Sequence, residues 1–520
     1  MRDNRSQGPL HAPEITGTPA RTLFAATLGF FIGFAAVSLF GPTAQLLKES
    51  MSLTPTEVGL LVAIPAATGS LLRIPFGGWV DTTGGRKPML VLLVLSALGM
   101  AGLLALLATR FPGGLSAAHY PLLLLLGMLC GCGIATFSVG IGQVSYWYRQ
   151  AQQGRALAIY AGFGNVAPGL FALLIPLVVA ATSLVAAYSL WLAFLVLGTV
   201  AYGATARNAP YFQIRRKAPA SSRAQAARWA FERGQELMPA GGVREGLMQT
   251  IKLGRTWALI GLYFTSFGGF LALTAWLPIY WSDRFGLGLT AAGALTMAYS
   301  VLASLVRVPG GFLADRAGGE AVATVAFAAM LAGAATVALA ISAPMAAAGT
   351  MVMAMGMGVA NAAVFKLVPR YLASVAGGAG AGWVGGLGAL GGLLLPPTLG
   401  VLVEGYGSEV GYRLGFALFA ALSGASIMIT LVLARQIGRA KLPADARGPE
   451  TVFCPHANRP AEVWVAASSG EAAPIRLVHC SLTEGPPNCD GSCLAGEAEE
   501  MRAASRAGEG ANRGQKAQSR

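Results

Sequence analysis

The sequence predicts an all-α membrane protein of twelve spanning helices, arranged as two six-helix repeats, with a polar tail behind them. Three observations predict it. Of the 520 residues, 54% are apolar and only 12% charged, about half the charged share of a soluble protein. Twelve apolar runs reach spanning length, six on each side of a long polar stretch. The segment LLRIPFGGWVDTTGGR at 71–86 returns as LVRVPGGFLADRAGGE at 305–320, shifted by 234 residues.

The N-terminal segment, 1–21, is polar and carries Arg2, Arg5 and Arg21, with no cleavable signal pattern. It is expected to stay in the cytoplasm. The first bundle, 22–205, holds spans at about 22–47, 57–80, 88–109, 120–146, 156–180 and 182–205. The second, 256–435, holds spans at about 256–282, 289–314, 321–342, 345–368, 377–402 and 411–435. Leucine, alanine and glycine dominate these runs, which argues for close-packed helices rather than a barrel. Between the bundles, 206–255 is a linker with ten Lys/Arg against three acids, and the loops at 81–87 and 148–155 are basic as well. Loops on the other side carry little more than Lys48, Arg110 and Arg284. That asymmetry places both termini and the linker in the cytoplasm of a multi-pass inner-membrane protein. It also explains the net charge of +14 without nucleic acid. Cys130 and Cys132 lie in an apolar run and read as small packing residues.

The repeated segment carries the chemistry. Gly77, Asp81, Gly84, Arg86 and Lys87 form a G-x-x-x-D-x-x-G-x-[RK]-[RK] loop after the second span, with Gly85 inside it, and Asp315 marks its second copy. The aspartate ends a helix and can pair with basic groups on a neighbour, while the glycines permit a tight turn. Glu320 stands where the first copy has Arg86, which predicts weaker ion pairing there. Arg73 lies eight residues before Asp81. At helical rise that is about 12 Å inside the edge of a hydrocarbon core about 30 Å thick. Arg307 sits at the same depth in the second half. An arginine there costs about 3 kcal/mol on insertion scales. No Asp, Glu or His lies deep in a span to offset it. Two such residues at matched depth predict one anion site on the axis between the repeats. Guanidinium presents parallel N–H donors, which suits a small planar oxyanion.

Two glycine-rich stretches occupy equivalent spans: GFGNVAPGLFALLIP at 162–176 and GGLGALGGLLLPP at 385–397. Gly162, Gly164, Gly169, Gly385, Gly386, Gly388, Gly391 and Gly392 read either as plain packing positions or as surfaces on which helices slide. Asn165 is a polar side chain within a span whose amide suits an anion. Lys366, near the cytoplasmic end of its span, reads as snorkelling or as a second anion station.

The loop, the twelve spans and the repeat resemble the major facilitator superfamily. The paired arginines in L-x-R-[IV]-P and both glycine stretches resemble its nitrate/nitrite porter family. So do GCGIATFSVGIGQVSYWY at 131–148, QGRALAIYAGFGN at 153–165, YFTSFGGFLA at 263–272 and GMGVANAAVFKLVPRY at 356–371. The resemblance covers about 22–435. It implies the major facilitator fold and an anion site with Arg73 and Arg307 as clamps, Phe137 and Phe267 as apolar walls, and Tyr263 and Asn165 as hydrogen-bond donors. Ala167 replaces a glycine frequent in the family, and Ala363 stands where some members have serine. The resemblance further implies a monomeric transport unit that moves nitrate and nitrite by alternating access, without a cofactor and without enzymatic activity.

Nitrate/nitrite antiport is the expected mode. Its rivals are proton-coupled nitrate symport, another small-anion or organic-anion exchanger, and a membrane-anchored sensor acting through the tail. Antiport is favoured because arginine does not titrate near neutrality. The four histidines, His11, His119, His456 and His479, all lie outside the spans. The tail, 436–520, has Cys454, Cys480, Cys489 and Cys493, the last two as C-x3-C, and a charge-rich end expected to be disordered. Its cysteines read equally as ligands of a zinc or iron–sulfur cluster or as free thiols.

Overall fold

The computed structural model describes residues 13–219, 221–239, 243–372, 377–437, 446–454, 459–467 and 475–480. Residues 1–435 form one unit and 436–520 another. Among the described residues, eleven continuous helical stretches are long and apolar enough to cross a membrane. They are Pro19–Met51, Pro55–Thr83, Arg86–Arg110, Ala117–Ser145, Gln152–Ala181, Leu184–Thr205, Gly254–Phe285, Leu289–Ala317, Gly319–Ala338, Ala343–Leu372 and Gly380–Arg435. Each overlaps a predicted span. The last is 56 residues long and contains Gly407 at φ +75°, a conformation no helix holds, so the chain turns there.

Local chemistry sets the helix ends. Thr54 and Glu57 form a reciprocal cap, with the Thr54 hydroxyl accepting from the Glu57 amide and the Glu57 carboxylate accepting from the Thr54 amide, ahead of Pro55 at the first helical position. The duplicated segment folds into the same turn twice. Gly84 (φ +79°) and Gly318 (φ +87°) both take a conformation that disfavours any side chain.

The helices are interrupted close to the middle of the unit. One break falls at Leu72, just before Arg73, and another at Asn165. A tight 3-10 turn spans Cys132–Ala135, and a π turn spans Phe264–Gly268. A further break lies between Gly388 and Gly391. Such interruptions release backbone groups from the helix ladder and re-aim side chains, and they concentrate at functional sites.

Two segments carry structure beyond the sequence reading. The basic linker folds into helices Pro210–Lys217, Arg223–Phe231 and Val243–Ile251. Ile214, Ala226 and Ala230 make a small core there, covered by Ile15, Tyr211, Trp229 and Met238. In the tail, strands β1 (Ala446–Cys454), β2 (Arg459–Ala467) and β3 (Ile475–Cys480) form an antiparallel sheet in the order β1-β2-β3. Its register sets Cys454 opposite Arg459 and Cys480 opposite Val463. The two cysteines therefore lie on strands separated by β2 and offset along it by about 13 Å. Cys489, Cys493 and the charge-rich end lie outside the described residues. Cys130 and Cys132 are buried free thiols, as packing residues are.

Candidate functional site

Arg73 and Arg307 converge. The Arg73 guanidinium carbon lies 4.8 Å from the centres of both the Phe137 and Phe267 rings. The Arg307 carbon lies 5.5 Å and 5.9 Å from the same two rings. The rings stack at 5.4 Å with 23° between their planes, one from each half of the chain. Each guanidinium gains cation–π attraction of about 0.5–2 kcal/mol from such contacts. Arg73 is fully buried and Arg307 is 5% exposed, so the site is enclosed. Matched places in the two repeats, read from the sequence, bring both arginines over one pair of rings.

The π turn places Tyr263 against Phe267, stacked at 4.8 Å with 9° between the rings. The Tyr263 hydroxyl feels the charge of both guanidiniums but makes no hydrogen bond of good geometry to either. Arg73 Nη1 donates to the Gly385 carbonyl at 3.0 Å, reaching across to the second half. Its Nε and Nη2, Nη1 of Arg307 and the Tyr263 hydroxyl have no hydrogen-bond partner among the described residues. Neither arginine has a carboxylate partner among them either. A buried donor without an acceptor costs about 1–3 kcal/mol, more when charged. Several converge here on one apolar-walled space. The ligand chemistry that satisfies them is a small anion with more than one oxygen.

Asn165 sits at its helix break, 2% exposed, with Oδ1 unpartnered among the described residues. Its backbone carbonyl accepts from the Ser304 hydroxyl at 2.8 Å, and Ser304 is one turn before Arg307. The glycine stretches meet the same region. A Cβ on Gly162 would reach Val308 at 2.7 Å, one on Gly169 would reach Ser300 at 2.9 Å, and one on Gly164 would overlap Phe30. On the other side, a Cβ on Gly388 would reach Tyr263 at 2.8 Å and one on Gly391 the backbone of Gly268 at 2.7 Å. A Cβ on Gly386 would reach Ile74 at 2.8 Å and one on Gly392 Leu271 at 2.8 Å. Most of these glycines therefore let helices carrying site residues approach closely, and Gly385 supplies the carbonyl to Arg73.

Sequence reasoning missed Phe365. Its ring is 5.8 Å from the Arg307 guanidinium carbon and meets Tyr263 edge-on at 4.9 Å and Phe137 at 5.8 Å. The signal was present, since it directly precedes Lys366. Phe30, tilted against Phe137 at 5.3 Å, and Phe34, stacked on Phe267 at 6.1 Å, had no sequence signal beyond an apolar run.

The loops differ from expectation. Asp81 does not pair with a basic group among the described residues; it accepts from the Tyr146 hydroxyl at 2.6 Å. Arg86 instead donates to the Gly203 carbonyl at 2.8 Å, and its amide to Asn208. In the second copy ion pairing is stronger, not weaker. Lys366 donates to Asp315 and to the Ala314 carbonyl. Glu320 accepts from Arg370 at 2.8 Å and from Tyr371 at 3.0 Å. The acid that replaced a basic residue found its partners on a neighbouring helix, which sequence order hides. Lys366 is thus neither free-snorkelling nor aimed at the arginines. Its partly exposed pair with Asp315 is worth about 0–1 kcal/mol. Lys366→Gln is expected to leave substrate affinity within about twofold, measured by equilibrium binding.

A bundle of spanning helices from two related halves, closed around a shared pair of arginines, is the architecture of a membrane transporter. The chain belongs to the Major Facilitator Superfamily, whose family model matches residues 26–396. It is 30% identical over 419 residues to a Mycobacterium tuberculosis protein named as a nitrate/nitrite transporter, NarK2, covering 80% of this chain and 97% of that one. It is 28% identical over 409 residues to a Thermus thermophilus protein named as a nitrate/nitrite antiporter, NarK1, covering 72% and 84%. It is 27% identical over 408 residues to the nitrite extrusion protein of Bacillus subtilis, covering 78% and 92%. Among solved structures, the fold matches the xylose transporter XylE of E. coli in a partially occluded inward-open form. That match has a TM-score of 0.61 and 14% identity, over 80% of this chain and 99% of that one.

Proposed function

We propose that the protein exchanges nitrate and nitrite across the inner membrane by alternating access. The observation that carries this reading is the Arg73–Arg307 pair over the Phe137–Phe267 stack, with unmatched donors and no acidic counter-ion among the described residues. The relatives named for nitrate and nitrite support the substrate class. The oxygens of a small planar anion suit two guanidinium forks. Arg73 and Arg307 hold the anion from opposite halves, and Tyr263 donates a third hydrogen bond. Asn165 positions the Arg307 helix through Ser304.

The turn at Gly407 divides the last helical stretch into two, which gives twelve spans as six plus six. The basic end, with the loop at 81–87 and the linker, is cytoplasmic by the excess of Lys and Arg. At the opposite end the halves touch through Gly59 against Pro396 and Pro397, and the Thr56 amide donates to Glu404 at 3.2 Å. At the level of Arg73 they touch through Gly386 against Ile74 and Ser70. A carrier must break the contacts on one side of its site at a time.

Exchange follows from electrostatics. Two like charges enclosed at one level repel, and closing around them without an anion leaves them desolvated. The Gly385 carbonyl offsets one of the two only in part. Loaded closure is therefore favoured in both directions. Proteoliposomes loaded with nitrite are expected to take up labelled nitrate without a pH gradient, and vesicles without internal anion are expected to take up little. Concentrative uptake into anion-free vesicles under an imposed proton gradient would overturn exchange in favour of symport.

A further inference from the structure

The linker helix Val243–Ile251 is gripped by two indoles at carbonyls one turn apart. Trp383 Nε1 donates to the Leu247 carbonyl at 2.9 Å, and Trp257 Nε1 donates to the Ile251 carbonyl at 3.0 Å. The Thr256 hydroxyl donates to the Thr250 carbonyl at 2.6 Å. The last four carbonyls of a helix lack donors of their own, so Thr256 and Trp257 cap this end. Both residues open the span Gly254–Phe285. The start of that span therefore fixes the linker helix, and the linker helix in turn holds Trp383.

Trp383 lies on the helix Gly377–Gly388, which needs outside support. Seven of its twelve residues are glycine, the weakest helix former after proline. Trp383 is its only aromatic residue and is half-buried. A helix with so little stiffness of its own takes its place from what its large side chains hold.

Two residues further on, in the last turn of the same helix, Gly385 accepts from Arg73 Nη1 at 3.0 Å. Carbonyls at that end of a helix carry partial negative charge, which suits a guanidinium. This bond decides which part of Arg73 is free. Nε and Nη2, the two donors along one edge of the guanidinium plane, have no partner among the described residues. Such an edge is a fork for two oxygens of one anion. A shift of the glycine-rich helix by about 1 Å would carry the Gly385 carbonyl out of hydrogen-bond range and leave the fork free to turn.

We propose that Trp383 is a positioning residue for the anion site. Clamped on the linker helix, it holds Gly385 against Nη1 of Arg73 and so keeps Nε and Nη2 aimed at the anion. This inference rests on the anion-site reading above. The test is equilibrium nitrate binding to the full-length protein in nanodiscs. Trp383→Phe keeps a ring and removes the N–H donor. It is expected to weaken nitrate binding about three- to tenfold, the worth of one hydrogen bond. In the Arg73→Lys background the same substitution is expected to change affinity by less than about twofold, because lysine has no Nη1 to be tied. A role in helix stability alone would cost the same in both backgrounds. Trp257→Phe loosens the linker helix at its other anchor and is expected to act in the same direction by a smaller factor. It carries the test if loss of the Trp383 indole impairs folding. Binding within about twofold of the parent by Trp383→Phe, or an equal loss in both backgrounds, would overturn the positioning role. A parent that binds nitrate but does not respond to Arg73→Lys would instead remove the anion site, and the positioning role with it.

Discussion

Arg73→Lys is expected to lower nitrate affinity about a hundredfold while the protein still folds. Lysine keeps the charge, so the electrostatic attraction survives. What it loses is the planar fork, which reaches two oxygens and simultaneously faces two rings at 4.8 Å. A charge-assisted hydrogen bond is worth about 1.5–3 kcal/mol, and 2.7 kcal/mol is about a hundredfold. The lysine ammonium also has no second donor plane to keep the Gly385 carbonyl while holding an anion. Arg307→Lys is expected to behave alike but more mildly, because its ring distances are longer. Equilibrium nitrate binding on purified variants checks both. Affinity within about threefold of the parent would remove the residue from the anion site.

Gly59→Val is expected to separate binding from movement. A Cβ at Gly59 would lie 2.6 Å from the Pro396 carbonyl and 2.9 Å from the Pro397 Cα. Those are backbone atoms of the opposite half, in a segment stiffened by two prolines, so the neighbour cannot turn aside. Overpacking of this kind costs about 1–3 kcal/mol. The cost falls only on conformations in which the non-basic end is shut. Exchange is expected to fall by one to two orders of magnitude, about 5- to 150-fold by the same energies, with nitrate binding retained. Gly59→Ala should give a smaller step in the same direction. Counterflow in proteoliposomes and binding in detergent, measured on one preparation, distinguish this from misfolding. Parent-like exchange by the valine variant would show that this contact does not open during transport.

Much of the site was legible because a charge inside lipid is costly. Arg73 and Arg307 declared themselves by burial without a partner, and the 234-residue repeat matched their depth. Asn165 was visible for a milder version of the same reason. Phe137, Phe267 and Tyr263 were reached through family resemblance, since an aromatic in an apolar run carries no signal of its own. Phe365 was missed for that reason, although it faces Arg307 as closely as Phe267 does. The loop partners could not be read at all. Asp81 with Tyr146, Asp315 with Lys366 and Glu320 with Arg370 each join residues at least 50 positions apart.

By itself the sequence determined where the apolar runs of spanning length lie, that the two halves repeat, and that one arginine stands at the same place in each repeat. These follow from local quantities: the length of apolar runs, the identity of turn glycines, and the cost of a charge in hydrocarbon. Tertiary structure decided the rest. It brought one ring from each half into a single stack and put a π turn beneath Tyr263. It also folded a basic linker into a wall with the N-terminal segment. Each depends on which helices lie side by side, and that is set by close packing of glycine faces across the bundle, a property of surfaces rather than of any one stretch of chain.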